Sequence, residues 1–145
     1  MPVTASDFLV AAQASCAVGD EISYRNCVSR AYYSVYHAAL PVAVAHCPDP
    51  NANSWIGEHA RLSERYRASS LPKAKSIGYV LEDMKKARHR ADYHLQQTVA
   101  ASDAKQALAN AKAFAGYLAA LEQAVQAASS GSGQSDSASS QTGKT

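Results

Sequence analysis

An all-α fold, an antiparallel bundle of four or five helices, is what this sequence predicts, on three observations. Apolar residues recur at helical spacing through nearly the whole chain up to about residue 128. No segment alternates apolar and polar residues for more than a few positions, as a half-buried strand would. A length of 145 residues with 47% hydrophobic content suffices for one domain around one continuous core.

The first helix is expected from about Thr4 to Val18. Thr4 or Ser6 caps it, Phe8, Leu9, Ala12 and Cys16 form one stripe, and Gly19 stops it. A long second helix is expected over roughly Ile22 to His46, with Pro41 as an interior kink or a break. Val28, Ala31, Tyr32, Val35, Ala39 and Val42 share its apolar face, while Asn26, Arg30, Tyr33 and His37 gather on the opposite one. Cys47 to Ser54 (CPDPNANS) reads as a loop, because proline, asparagine and aspartate favour turns.

A third helix follows from about Trp55 to Ala68, ended by Ser69, Ser70, Leu71 and Pro72, with Pro72 suited to the first turn of the next. The fourth, from Lys73 to about Arg90, turns Ile77, Val80, Leu81 and Met84 inward, and Gly78 weakens it modestly. The last starts at the Ser102-Asp103 cap and runs to about Ala128. Its stripe of Ala104, Leu108, Ala111, Ala115, Leu118, Leu121 and Val125 is Ala-rich and permits close helix approach. The folded domain is thus residues 1–128. Residues 129–145 (SSGSGQSDSASSQTGKT) are expected to be a disordered Ser/Gly-rich tail, since no apolar side chain larger than Ala offsets their ordering entropy.

Cys16, Cys27 and Cys47 form no CxxC pair and no zinc-finger spacing, so neither a disulfide framework nor a structural zinc site is indicated. There is no secretory signal pattern and no run near the ~18 apolar residues of a membrane helix, so no membrane association and a cytoplasmic location are expected. His89 and His94 are a poor helical pair for shared ligation, and HExxH, Gly-rich phosphate loops and nucleophile elbows are all missing, so neither a metal nor a cofactor is called for.

Charge is unevenly placed. Residues 61–90 hold nine Lys or Arg against three acids, a local +6 within a chain whose net charge is +2, so the remainder sums to −4. Such asymmetry is compatible with an anionic partner and equally with a solvated basic face. Within this segment Arg88 stands out. Helical steps from Ile77, Leu81 and Met84 put it in the middle of the apolar stripe, where a guanidinium must snorkel out, find a buried partner or line a cleft.

Two stretches carry a family resemblance. Arg25-Asn26-Cys27-Val28-Ser29-Arg30-Ala31-Tyr32-Tyr33-Ser34-Val35-Tyr36-His37-Ala38-Ala39 resembles the second-helix signature of HEPN domain proteins, the UPF0332-like branch in particular. Arg88-x-x-Ala91-Asp92-Tyr93, followed by Ser102-Asp103-Ala104, is similar to a second signature, and Gly57-Glu58-His59 is similar less specifically. The resemblance covers about residues 5 to 125. It implies a helical bundle, usually a homodimer with a composite cleft between two copies. Active members carry an Arg, four to six residues, then a His, often with a polar residue directly after the Arg. Arg88, His89 and His94 fit that spacing.

Many such members are metal-independent ribonucleases, often toxins encoded beside a nucleotidyltransferase antitoxin or acting in phage defence, while others are non-catalytic binding modules. In antitoxin-modified relatives a Tyr lies two residues beyond the His. Here Leu95 and Gln96 follow His94, which counts against adenylylation at that site.

The chemistry is consistent with these residue types. Removing a 2′-hydroxyl proton near neutral pH suits a His, whose unperturbed pKa is about 6.5. Charge building on the phosphate suits the planar, permanently charged Arg fork. The resemblance therefore implies His94 as base or acid, Arg88 as phosphate clamp and His89 as an assisting group, with RNA as the partner. Asn26, Arg30, Tyr33, His37, Arg90, Asp92 and Tyr93 are the candidates for lining the cleft.

Structural readings stand beside these. Arg88 is alternatively a partly buried cation paired with Asp92, and His94 a surface histidine in a loop. Lys85, Lys86 and Arg90 complement a helix dipole by ~0.3–1 kcal/mol. Tyr32, Tyr36 and Tyr93 read as core or interface aromatics, and His37 and His59 as groups hydrogen-bonded within the bundle.

Overall fold

The helical periodicity resolves into five elements in the computed structural model, which describes residues 2–131. They are α1 (Ala5–Val18), α2 (Glu21–His46), α3 (Glu58–Ala68), α4 (Ala74–Tyr93) and α5 (Ala101–Gly131). No strand occurs among the described residues. The all-α bundle is therefore the architecture. Among the described residues there is also no helix long and apolar enough to cross a membrane.

Capping chemistry fixes most of the ends. The Thr4 N–H and hydroxyl donate to the Asp7 carboxylate at 2.7 and 3.0 Å, and α1 stops at Gly19, whose φ of +89° is one that glycine adopts without strain. Asp20 accepts the Ser23 N–H at 3.0 Å to start α2, and α2 continues unbroken through Pro41. At its far end Arg65 donates to the carbonyls of Cys47 and Ala43, and the Tyr66 hydroxyl donates to that of Ala39 at 2.6 Å.

Four boundaries depart from the sequence reading. Trp55 lies outside α3 and is fully exposed, because the turn pinned by Arg61 through Asp49, Asn51 and Ser54 runs on to Gly57. Pro72 precedes α4 rather than entering it, since Lys73 takes a left-handed conformation (φ +72°) that the helix cannot include. The third is α4 itself, which extends three residues beyond Arg90 to Tyr93. At the other terminus, Ser129–Gly131 belong to α5, and the rest of the expected tail, residues 132–145, lies outside the described residues.

Helix α2 is the hub. It packs on α1, α5 and α4, while α3 and α4 form a hairpin against it. Tyr32, Val35, Leu62, Tyr66, Ile77, Phe114 and Leu121 are fully buried, each contributing about 1.5–3 kcal/mol of transfer free energy. In α5 the buried seam is Ala104, Ala107, Ala111, Phe114, Leu118 and Leu121. Its steps of three and four put Phe114 inside and leave Ala115, a further 100° round the helix, in solvent.

Gly78 is a point of close approach between α3 and α4. A Cβ there would lie 2.5 Å from Arg67 Cγ and 3.0 Å from both Arg67 N and Ser63 O, so the missing side chain is what lets α3 sit against α4. The glycine is thus a packing requirement and not merely a weak helix former. Gly78→Ala is expected to lower stability by about 1–3 kcal/mol through overpacking. Gly116→Ala, at an exposed α5 position where a Cβ meets nothing within 4 Å, should raise it by about 0.5–1 kcal/mol. Urea denaturation of the two variants measures both signs.

Candidate functional site

The site begins with a buried cation that is not one of the candidates named above. Arg25, on α2, is 7% exposed. Its Nη1 donates to the carbonyls of Ala91 (2.8 Å) and His94 (3.3 Å), and its Nη2 donates to the Gln97 carbonyl and to Glu21 Oε1 at 3.0 Å. The same Glu21 oxygen accepts the Val99 N–H at 3.2 Å. That bond, together with Arg25, holds the Glu21 carboxyl below the ordinary carboxylate range. The end of α4 and the turn after it are thereby tied to α2 at four backbone groups. The negative end of the α4 dipole, where His94 is the cap, is covered by a fixed positive charge.

Arg88 sits one turn earlier, its side chain 12% exposed. Because α4 runs through Asp92, the two residues are helical i,i+4 neighbours, and Arg88 Nη1 lies 3.8 Å from Asp92 Oδ2. Asp92 Oδ2 also accepts the Ser29 hydroxyl at 3.3 Å. The guanidinium lies over the rings of Tyr32 and Tyr33, at 5.4 and 5.8 Å from their centroids. Its Nε is buried without a hydrogen-bond partner.

Arg88, His89, Arg90 and His94 converge on one cleft of about 480 Å³, completed by Lys85, Lys86 and Gln97. No carboxylate is among the described residues lining it. The acids that accompany these cations, Glu82 with Lys86, Asp92 with Arg88 and Asp103 with Arg90, flank the lining without belonging to it. The rings of His89 and His94 lie 5.3 Å apart, and Tyr93 packs on His89 at 4.9 Å. Tyr93 itself is 65% exposed, so it is not a core aromatic, whereas Tyr32 and Tyr36 are buried.

The second-helix candidates form a separate group. Arg30 lies over Phe8 and Tyr33, and His37 packs on Phe8 at 5.0 Å and on Tyr33 at 6.2 Å. None of them lines the cleft, and neither does Asn26, which is exposed. Tyr33 joins the two groups through its contact with Arg88. His59 Nδ1 lies 2.6 Å from the Tyr32 hydroxyl, and the Nε2-protonated tautomer gives that hydroxyl its acceptor. Burial, then the nearby Arg88 charge, lowers the pKa of His59 below 6.5, so the ring is neutral at pH 7. Burial pushes the Tyr32 phenol upward, against the opposing charge of Arg88 and with smaller contributions from Tyr36 and Tyr33.

Seven of the nine cations of residues 61–90 separate into two parts, and the exposed Lys73 and Lys75 belong to neither. Arg61, Arg65 and Arg67 are engaged with Asp49, the α2 carbonyls and Glu82, and serve the fold. Lys85, Lys86, Arg88 and Arg90 face the cleft. Among the described residues no group of three His, Cys, Asp or Glu is placed to hold a metal ion. Comparison with known proteins finds no matching family model, no matching curated protein and no matching solved structure.

Arg25→Ala is expected to lower stability by about 3 kcal/mol, because it leaves several carbonyls without their charged donor. Amide hydrogen exchange should then accelerate most at residues 94–99. Exchange rates unchanged in that turn would show that something other than Arg25 holds it.

Proposed function

We propose that this protein is a metal-independent endoribonuclease of the HEPN type, with Arg88, His89 and His94 as its catalytic groups. The observation that carries the reading is the convergence of these three side chains on a cleft lined by four cations and no carboxylate. A phosphodiester held there meets a net positive lining, and added salt weakens such binding steeply. Arg88 is fixed by Asp92 and two tyrosine rings, so its charge needs little reorganisation as negative charge builds on the phosphate.

One imidazole takes the 2′-hydroxyl proton while that oxygen attacks the neighbouring phosphorus. The other gives a proton to the departing 5′ oxygen, leaving a 2′,3′-cyclic phosphate and a 5′-hydroxyl. The short separation of the His89 and His94 rings makes both roles available within one chain. A homodimer that brings a second copy to this cleft would add another His94. A nucleotidyltransferase antitoxin partner and a toxin or phage-defence role belong to the same reading.

The alternative is a non-catalytic binding module that partners RNA or a nucleotidyltransferase. It is favoured by the low exposure of Arg88 and its ion pair with Asp92, which leave less of the guanidinium for a ligand.

Purified protein, with EDTA present, is expected to cut single-stranded RNA. His94→Ala and Arg88→Ala should each lower the rate by about 10²-fold or more, the usual scale for a lost proton-transfer or charge-stabilising group. RNA binding without cleavage in all three proteins would establish the binding module. Equal cleavage in all three would remove the cleft from the chemistry.

A further inference from the structure

Arg90 lines a second cavity besides the basic cleft, a slot of about 280 Å³ between α4 and α5. Its size is close to the lower end of small-molecule sites, about 300 Å³. Val28, Met84, Ala87 and Ala107 give it apolar walls, and the small side chains of the two alanines leave room between the helices. Four of the polar groups at its rim are arranged in two pairs. Arg90 Nη2 lies 3.3 Å from Asp103 Oδ1 at the end next to the hairpin turn. Asp83, seven residues before Arg90 on α4, and Asn110, seven residues after Asp103 on α5, lie about 10 Å away along the helices.

The polar groups differ in what they have left to offer. Asp103 is engaged by Arg90 and by the Ala100 N–H at 2.8 Å. Asp83 has no ion pair or hydrogen bond to any of the described residues, so its carboxylate is a free acceptor. Gln106 Nε2 donates to Asn110 Oδ1 at 3.1 Å, which leaves the Gln106 carbonyl and the Asn110 amino group unpaired. The slot thus presents a carboxylate acceptor at one end, guanidinium donors at the other and apolar walls between them.

We propose that this slot takes a guanine base, carried by the nucleotide whose phosphate lies in the neighbouring cleft. For RNA as the source of that nucleotide, the inference rests on the function proposed above. Guanine is the RNA base with adjacent N1–H and N2–H donors on one edge and the O6 and N7 acceptors on the other. Asp83 accepts from the first edge, and Arg90 donates to the second. Adenine turns its N6 amino donors toward Arg90 and offers no N2 donor to Asp83. The pyrimidines are too short to reach both ends. Because Arg90 is the wall shared by slot and cleft, a base in the slot leaves its own phosphate beside the Lys85, Arg88 and His94 lining.

The test is a titration of the isotope-labelled full chain with guanosine, adenosine, cytidine and uridine 5′-monophosphates, followed by amide NMR. Guanosine monophosphate is expected to bind about tenfold or more tightly than the other three, the scale of one bidentate base contact. Its shifts should cover residues 83–90 and 103–110. Asp83→Ala, at an exposed helical position where alanine favours the helix, should remove that preference. Equal affinity for all four nucleotides, or shifts confined to residues 94–97, would overturn the guanine site. RNA cutting distinguishes the two proposals. Guanosine monophosphate binding with no cleavage leaves the slot standing and removes the nuclease. Cleavage that depends on His94, with no preference for guanosine at the cut site and none among the monophosphates, removes the slot and leaves the nuclease.

Discussion

A single guanidinium, that of Arg25, holds together the end of the bundle at which the basic cleft lies. The C-terminal end of an α-helix carries unpaired carbonyls and a partial negative charge, which is a poor place to hold a phosphate. Here that end is α4, and the cleft lies directly against it. Arg25 reaches across from α2 to the carbonyls of Ala91, His94 and Gln97, so the repulsive groups are hydrogen-bonded and neutralised from inside the protein. Glu21 completes the arrangement by holding both Arg25 and the Val99 N–H. With the carbonyls occupied on the inner side, the outer side of the same turn is free to present cations and imidazoles.

Arg88 follows from the same geometry. The extension of α4 to Tyr93 makes Asp92 its i,i+4 neighbour and turns its guanidinium over two tyrosines of α2. An ion pair at 3.8 Å is loose, and most of the restraint on Arg88 comes from burial and from the rings beneath it. That combination immobilises a charge without fully neutralising it, which is the condition a phosphate clamp needs. Tyr32 is held in turn by His59, so α2, α3 and α4 all contribute to the seat of one side chain.

Most of the fold was legible in the sequence because period and capping are local properties. The α2 stripe from Val28 to Ala39 is buried as its spacing requires, Thr4 and Asp103 cap helix starts through bonds to residues three away, and Gly19 ends α1 through its left-handed backbone. What escaped was set by tertiary contacts. Phe114 takes the inner position between Ala111 and Leu118 that the expected stripe gave to Ala115, because the buried seam steps by three and then four residues there. Gly78 reads as a weak helix former until Arg67 is seen in the space its side chain would fill. Arg25 lies within the quoted second-helix motif, but nothing in its spacing reveals three carbonyls more than sixty residues downstream. For Arg88 an apolar stripe interrupted by a cation was itself the signal, and the position lines the cleft with His89 and His94. Arg30, Tyr33 and His37 were correctly placed together on one face of α2, but that face is occupied with Phe8 rather than with the cleft.

The account turns on whether His89, His94 and Arg88 meet one phosphodiester. Histidine-ring NMR of the protein with an uncleavable RNA dinucleotide, its 2′-hydroxyl replaced by hydrogen, reads this directly. The ring signals of His89 and His94 are expected to shift on binding, and to stay still in Arg88→Ala. Shifts at His37 or His59 with the other two rings unmoved would contradict it.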